Sequence, residues 1–392
     1  MLTIYLDSND FSRLADPRQE AIFGPTLAKL KEIATHPQVA FLFSAAHLSE
    51  MAPTGHLYAN AAARRADVLV ALCKRNALIP YFSILELEAN RLVHGGEPLR
   101  SADLIAMDGT WFPEVKPFLN PAAWADAFKE ALSRSFQEQG LNRRMRRVLN
   151  GKLMKHGSPR AAALQELAPL DPAEVMRHFP MREEDARVIS LYAAGRATTK
   201  EADHALRESL RDPRWMMRWF HQNFEDLGKL GEMIRGPSTI LHAKASGLVD
   251  KLNRADEIEK VTGRNPLTKA LWTELANIAL IQGTNSIIKG SYPDARFIDD
   301  PARIRRVGRG ISTFIGSVVA PMRDSTGHQK RAMATNDVAD ATHAIYAPYV
   351  RFFRADKYMA PVIQRQVKEY GTQVVNRLED LPGLIESALR QP

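Results

Sequence analysis

Short β-type segments alternate with helical segments at both ends of the 392-residue chain, and this alternation is the strongest constraint on its fold. Apolar or β-branched runs indicate strands at residues 3–6, 39–44, 350–354 and 373–376, and apolar residues at helical spacing predict helices at 25–35, 61–74, 337–349 and 381–389. Such alternation favours an α/β fold, with a mostly parallel central sheet covered by helices.

The middle of the chain has a different pattern. Residues 96–334 are rich in Ala, Leu, Met, Arg and Glu, with few strand-like runs. Helical periodicity separated by Pro or Gly breakers predicts helices at 161–167, 183–195, 200–210, 215–233 and 267–282. We therefore predict one α/β domain formed by residues 1–95 plus 335–392, interrupted by a mostly helical insertion domain at 96–334.

Cysteine content and hydropathy exclude several classes of protein. Cys73 is the single cysteine, so the chain can form neither an internal disulfide nor a cysteine-based zinc site. Its first residues have no basic leader, and no apolar run reaches the roughly 20 residues that span a bilayer. These features predict a soluble, cytoplasmic protein without a membrane partner.

Acidic residues recur where the predicted strands end. Asp7 directly follows the first strand, Glu50 follows the second, and Asp356 follows the strand at 350–354. Asp337 and Asp340 share one face of a predicted helix. Open α/β sheets bind ligands at the carboxyl ends of their strands, and carboxylates are preferred ligands of Mg²⁺ and Mn²⁺. Because carboxylates gathered in one cleft repel one another, their convergence would imply a cation.

The order of these segments resembles that of the PIN-domain nucleases. The resemblance rests on the first strand with its aspartate, the glutamate that ends 44–50, and the segments 336–343 and 352–357. It implies a three-layer α/β/α domain that binds Mg²⁺ or Mn²⁺ and hydrolyses RNA, or less often structured DNA. By this resemblance Asp7, Glu50, Asp340 and Asp356 are the metal ligands and catalytic residues, with Asp337 as the other candidate for the third position.

Each acid also has a purely structural interpretation. An aspartate after a strand is often a helix N-cap or a turn residue, which applies to Asp7, Asp337 and Asp356. Glu50 can be a solvated helix residue, and Asp340 can be a buried acid paired with an arginine. His47 and His343 lie near the acids in sequence, and we interpret both as structural.

Two basic runs are candidate phosphate-binding surfaces. Residues 134–160 contain eight Lys and Arg against one Glu, and residues 303–331 contain seven against one Asp. Together with polar groups beside the first and last acids, they give the predicted substrate-binding residues: Ser8, Asn9, Lys357, Arg143, Arg144, Arg146, Arg147, Arg305 and Arg306.

The leading hypothesis is a metal-dependent nuclease that hydrolyses phosphodiester bonds of RNA, using a water activated by carboxylate-held Mg²⁺ or Mn²⁺. Its partners would be RNA and either a second copy of the chain or an antitoxin-type protein. One alternative is a catalytically inactive PIN-like protein that binds nucleic acid or protein. Another is a haloacid-dehalogenase-like phosphatase with Asp7 as nucleophile, although Asn9 stands where that family has a second aspartate.

Overall fold

The computed structural model describes residues 1–51, 59–112, 136–137, 140–155, 158–159, 171–178, 181–222, 243, 245–247, 249–251, 253–254, 269–326 and 334–391. The chain divides into two compact units. The first combines Met1–Trp111 with Glu225–Pro392, and the second is Phe112–Phe224.

The elements of the two units follow in chain order. The amino-terminal part of the first unit contains β1 (Leu2–Tyr5), α1 (Ser8–Ala15), α2 (Glu20–Ile33), β2 (Val39–Leu42), α3 (Ala45–Met51), α4 (Ala59–Cys73), β3 (Ala77–Leu78), α5 (Tyr81–His94) and β4 (Ile105–Ala106). The second unit contains α6 (Arg143–Leu153), β5 (Met154–Lys155), β6 (Ser158–Pro159), α7 (Pro172–His178), α8 (Glu183–Ala193), α9 (Thr199–Leu210) and α10 (Pro213–Gln222). The carboxy-terminal part of the first unit contains α11 (Lys269–Ser291), α12 (Pro301–Val307), α13 (Arg309–Asp324), α14 (Thr335–Ala344), β7 (Phe352–Arg354), α15 (Met359–Val367), β8 (Gln373–Val375) and α16 (Leu381–Arg390).

A four-stranded parallel sheet joins the two ends of the chain, in the order β2-β1-β7-β8. The central strand β1 pairs with β2 from Leu2↔Val39 to Tyr5↔Leu42, and on its other side with β7 through Ile4↔Phe352 and Tyr5↔Phe353. Every residue of β2 and β7 is buried, as expected for strands covered on both faces. The predicted α/β class and the parallel sheet made from both termini are confirmed.

Aromatic packing fixes β1 against its neighbours in the core. The rings of Tyr5 and Phe353 stack with centroids 5.2 Å apart and planes inclined by 4°, and Tyr346 stacks on Tyr5 from 5.4 Å. All three side chains are at most 1% exposed and belong to one apolar cluster. This packing brings the carboxyl end of β1 next to the helix that precedes β7.

Helices α11–α13 belong to the same unit as the sheet. Their apolar faces share a core cluster with α5, in which Leu92, Leu280, Ile304 and Ile311 are buried. A Cβ on Gly283 would lie 2.8 Å from Ile315 Cδ1, so the glycine lets α11 pack closely on α13. The predicted insertion at 96–334 is therefore longer than the second unit, because these helices bury their faces against α5.

The described part of the second unit is mostly helical, as predicted. Helices α7, α8 and α9 enclose a small apolar cluster that includes Ile189 and Leu206, and α9 begins with a capping box between Thr198 and Glu201. The helix predicted at 161–167 lies outside the described residues, as does the end of the one predicted at 215–233. Among the helices that the structure describes, none combines the length and apolar character needed to cross a bilayer.

Candidate active site at the carboxyl edge of the sheet

Asp7 lies between β1 and α1 and is the N-cap of that helix. Its Oδ1 accepts a hydrogen bond from the Asn9 amide at 2.9 Å, and its own amide donates to Asp10 Oδ2 at 3.2 Å, which completes a capping box. The Asp7 side chain is buried. Burial raises the pKa of the Asp7 carboxyl, so this acid is held at the sheet edge at an electrostatic cost.

Glu50 extends from α3, the helix after β2, toward the carboxy-terminal half of the chain. Its Oε2 lies 3.3 Å from Nε2 of His343 on α14. Burial alone would raise the pKa of Glu50, but the charge and hydrogen bond of His343 outweigh burial and lower this pKa to about 2. Glu50 is therefore ionised at neutral pH and is joined to a residue almost 300 positions away.

Asp340, one turn before His343 on α14, is the most perturbed acid of the site. The carboxylate is partly buried, and none of the described residues donates a hydrogen bond to it. Burial, followed by the negative charge of Asp7, raises its pKa to about 8, to which Asp356 and Glu50 also contribute. Asp7, Glu50 and Asp356, the other three predicted ligands, thus lie within electrostatic range of Asp340.

Asp356 follows β7 and stands at the start of α15. Its Oδ1 accepts a hydrogen bond from the Met359 amide at 2.6 Å, and its backbone carbonyl accepts one from the Ala360 amide at 2.9 Å. The residue is partly buried. Asp356 therefore occupies the strand-end position that the sequence predicted, and it contributes one carboxylate oxygen to the first turn of the helix.

Asp337 is placed differently from the other acids. Its Oδ2 accepts a hydrogen bond from the amide of Ala334, the N-cap residue of α14, at 2.8 Å. The side chain is 2% exposed and turned toward the start of its own helix. The structure thus supports the capping interpretation of Asp337, which leaves Asp340 as the acid of α14 that faces the others.

His343 is a central member of the site, although we interpreted it from sequence as structural. Its Nδ1 lies 2.6 Å from the hydroxyl of Tyr5, and its Nε2 lies 3.3 Å from Ser8 Oγ. Burial lowers the pKa of His343, but the negative charge of Glu50 and its hydrogen bond raise the pKa above its ordinary value. Its spacing of three residues from Asp340 on one helix was the available signal.

His47 has the structural role that we assigned to it. Its Nδ1 accepts a hydrogen bond from the Ser44 amide at 3.1 Å, and its Nε2–H donates to the Leu6 carbonyl at 2.8 Å. Burial lowers the pKa of His47 to about 3, so the ring stays neutral. With both nitrogens bonded to backbone, His47 fixes the loops that follow β1 and β2.

A buried ion pair lies near the strand-end acids and connects α1 with β7. Arg354, at the end of β7, lies 3.1 Å from Asp10 on α1, and both side chains are at most 3% exposed. Burial raises the pKa of Asp10 to about 7, even though the charge of Arg354 lowers it. The pair ties the helix after β1 to the neighbouring strand β7, and with it Asp7 to Asp356.

The predicted substrate-binding residues fall into separate groups. Ser8 is buried against His343, whereas Asn9 and Lys357 are exposed next to Asp7 and Asp356 in the chain. The remaining residues lie on α12 of the first unit, which carries Arg305 and Arg306, and on α6 of the second unit, which carries Arg143, Arg144, Arg146 and Arg147. The structure thus places Ser8, Asn9 and Lys357 beside the acids in the chain, and it places the arginines on helices α12 and α6.

The donor set fits a hard divalent cation by type and charge. Asp7, Glu50 and Asp356 lie within electrostatic range of Asp340, and carboxylates are preferred ligands of such cations. The pKa of Asp340 is raised to about 8, and no residue in the described part of the chain donates a hydrogen bond to its carboxylate. Nearby positive charge would relieve this repulsion. As the side chains stand, no three His, Cys, Asp or Glu residues within the described ranges are placed to hold one ion.

Comparison with known proteins identifies no relative. No family model, no curated protein and no solved structure matches this chain.

Proposed function

We propose that the protein is a metal-dependent nuclease with a three-layer PIN-like domain, and that its substrate is RNA. The observation that carries this proposal is the convergence of Asp7, Glu50, Asp340 and Asp356 at one edge of the parallel sheet, from opposite ends of the sequence. Ligands of open α/β folds bind at that edge. Acids that raise one another's pKa values are typical of functional sites.

Asp7, Glu50, Asp340 and Asp356 would hold Mg²⁺ or Mn²⁺. When bound, such an ion lowers the pKa of water and neutralises charge on a phosphodiester. The chain's own groups have separate tasks. His343 contacts the Tyr5 hydroxyl through Nδ1 and Glu50 through Nε2. Its positive charge when protonated keeps Glu50 ionised, and its position orients the Glu50 carboxylate. The Asp10–Arg354 pair keeps the two strand ends together.

RNA is the proposed substrate because exposed cationic groups accompany the acids within the first unit. Lys357 is exposed directly after Asp356, and Arg305 and Arg306 are exposed on α12. A cluster of carboxylates attracts a polyanion only when flanking cations compensate its field. On the second unit, α6 carries exposed Arg143, Arg144 and Arg147, which are cationic groups of the kind that bind phosphates.

The test is cleavage of single-stranded RNA by the purified chain with Mn²⁺, with single-stranded DNA in parallel. We expect Asp7→Asn to lose at least about a hundredfold in rate, because the variant removes one anionic ligand while it keeps an oxygen for the helix cap. Asp294→Asn, an exposed aspartate of the same unit, is the matched control. Equal cleavage by parent and Asp7→Asn would assign the activity to a contaminant and refute the proposal.

A second candidate is a PIN-like protein that binds RNA without cleaving it. It is favoured by one observation: among the described residues, no three side chains are placed to hold an ion. This candidate predicts RNA binding of equal strength with Mn²⁺ and with a chelator, and no cleavage under either condition. The same samples therefore distinguish the two functions.

A further inference from the structure

A cavity of about 570 Å³ lies on the first unit, and Arg305 is the one lining residue that the proposed function has used. It is lined by residues of α11, α12, α13 and α15. Its apolar surface includes Leu280, Ile315 and Val319. The volume falls within the range of small-ligand sites. We call this cavity the arginine groove.

The arginine groove is strongly cationic. Three of its lining residues are arginines, Arg305, Arg323 and Arg365, and none of the lining residues within the described ranges is acidic. Arg323 is paired with Asp324, which stands just outside the lining, at 3.0 Å. Among the described residues, Arg305 donates only to a neutral partner, the Asn277 side-chain oxygen, at 2.6 Å. Two guanidinium charges therefore face the groove without a compensating carboxylate.

Arg365 and its neighbour Gln366 are available to a ligand. Neither side chain has a hydrogen-bond or ion-pair partner within the part of the chain that the structure describes. A Cβ on Gly316 would lie 2.5 Å from Cδ and Oε1 of Gln366, so the amide rests on the bare backbone of α13. The groove thus presents a guanidinium and an amide, which suit a phosphate and the edge of a base.

Trp272 provides an aromatic surface beside these charges. It lines the groove from α11 and is partly exposed. Aromatic side chains next to a cationic groove are the usual platform for unpaired bases, which stack on the ring while the phosphates contact the cations. A duplex stacks its bases internally and offers none to the indole. The combination therefore favours a single strand.

A hydrogen bond links the end of α13, next to the lining of the groove, to the segment that follows Asp356. Arg323 and Asp324 close α13, and Asp324 Oδ2 accepts a hydrogen bond from the hydroxyl of Tyr358 at 3.1 Å. Tyr358 stands two residues after Asp356. The end of α13 that lines the groove is thus tied to the chain segment that carries the fourth predicted ligand.

We propose that the arginine groove binds one or two unpaired nucleotides of the RNA substrate, with phosphates on Arg305 and Arg365 and a base on Trp272. This assignment rests on the proposed function, since it places a segment of the same RNA that the acids would cleave. The groove would select single-stranded over duplex RNA and set where the strand enters the site.

The experiment measures fluorescence anisotropy of a fluorescein-labelled oligouridine with the full chain in a chelator, so that binding is separated from cleavage. For Arg305→Ala/Arg365→Ala we expect affinity to fall by about tenfold or more. The slope of log affinity against log salt should also decrease by about 1.4, since each phosphate contact contributes about 0.7 for a single strand. Trp272→Leu should weaken binding by about tenfold and Trp272→Phe by much less.

Arg390→Ala, an exposed arginine on α16, is the matched control and should bind as the parent does. Equal melting temperatures of parent and arginine variants verify the fold. Binding by the double variant within twofold of the parent, with the same salt slope, would overturn the proposal. So would equally tight binding of the duplex form, weakened to the same extent by the double variant.

Failure of this proposal is distinguishable from failure of the proposed function. If Asp7→Asn abolishes Mn²⁺-dependent cleavage while the groove variants bind RNA as the parent does, the groove assignment is wrong and the proposed nuclease activity is supported. If the groove variants lose RNA binding but the parent cleaves nothing with Mn²⁺, the groove stands as an RNA-binding surface and the nuclease is wrong.

Discussion

Replacing Asp340 by asparagine should stabilise the metal-free protein at high pH. Burial and the charge of Asp7 raise the folded-state pKa of Asp340 to about 8, from an ordinary value of 3.8. A group with a raised pKa contributes its full stability below the unfolded-state pKa and loses it as the pH rises through the folded-state pKa. The parent should therefore lose stability between about pH 4 and pH 8, whereas Asp340→Asn, which stays neutral, should not.

The size of this effect follows from the shift. A difference of about four pKa units corresponds to at most about 5–6 kcal/mol of unfolding free energy. The carboxylate is only partly buried and its acidic neighbours adjust their own protonation, so we expect about 2–3 kcal/mol at pH 8.5. For a unit of this size that corresponds to a melting temperature about 3–6 °C higher than that of the parent.

The assay is thermal unfolding of both proteins in a chelator from pH 5 to pH 9. We expect the melting temperatures to diverge as the pH rises, while Asp294→Asn follows the parent throughout. If the proposed metal site exists, adding Mn²⁺ at pH 8.5 should raise the melting temperature of the parent more than that of Asp340→Asn, because the variant lacks one of the proposed carboxylate ligands. Parallel curves for parent and Asp340→Asn would refute the electrostatic coupling on which the site is built.

Three further predictions concern buried ionisable side chains of the first unit. The Nε2–H tautomer of His47 should persist to pH 5 in ¹⁵N NMR spectra, because burial lowers its pKa to about 3; titration near 6.5 would contradict this. Arg354→Met should cost about 3–5 kcal/mol in urea unfolding, and Asp10→Asn should recover most of that loss, whereas additive losses would contradict a buried pair. The Glu88 carboxylate accepts hydrogen bonds from the amides of Gly310 and Ile311 at the start of α13. Glu88→Gln should lower the free energy of unfolding by about 1–3 kcal/mol, because one of these amides would then face an NH₂ group. An unchanged urea midpoint would contradict this cap.

Local sequence signals predicted the sheet well, because β1, β2 and β7 are largely buried on both faces and therefore appear as short continuous apolar runs. The runs at 3–6, 39–44, 350–354 and 373–376 correspond to β1, β2, β7 and β8 within two residues at each end. Strands β3–β6 are only two residues long, and two residues carry no periodicity that a sequence could reveal.

The partner of an apolar helix face could not be predicted. Periodicity located a helix at 267–282, but it did not reveal that α11 packs against α5 rather than within an insertion domain. Glu88 shows the same limit. In the sequence of α5, Glu88 has the appearance of a solvated helix residue. Its carboxylate nevertheless accepts hydrogen bonds from the amides of Gly310 and Ile311, which are more than 200 positions away. Only long-range packing identifies such a residue.

The cap and the ligand interpretations of the acids are compatible rather than exclusive. In a parallel α/β fold the carboxyl end of a strand is also where the next helix begins, so one position serves both purposes. Asp7 and Asp356 each use Oδ1 for a backbone amide, which orients the carboxylate at the edge of the sheet. An aspartate directly after a strand is therefore the same sequence signal for a helix cap and for a metal ligand. The structure adds the convergence of these positions: the pKa of Asp340 is raised by the charges of acids from both ends of the chain, which a sequence signal at either end cannot reveal.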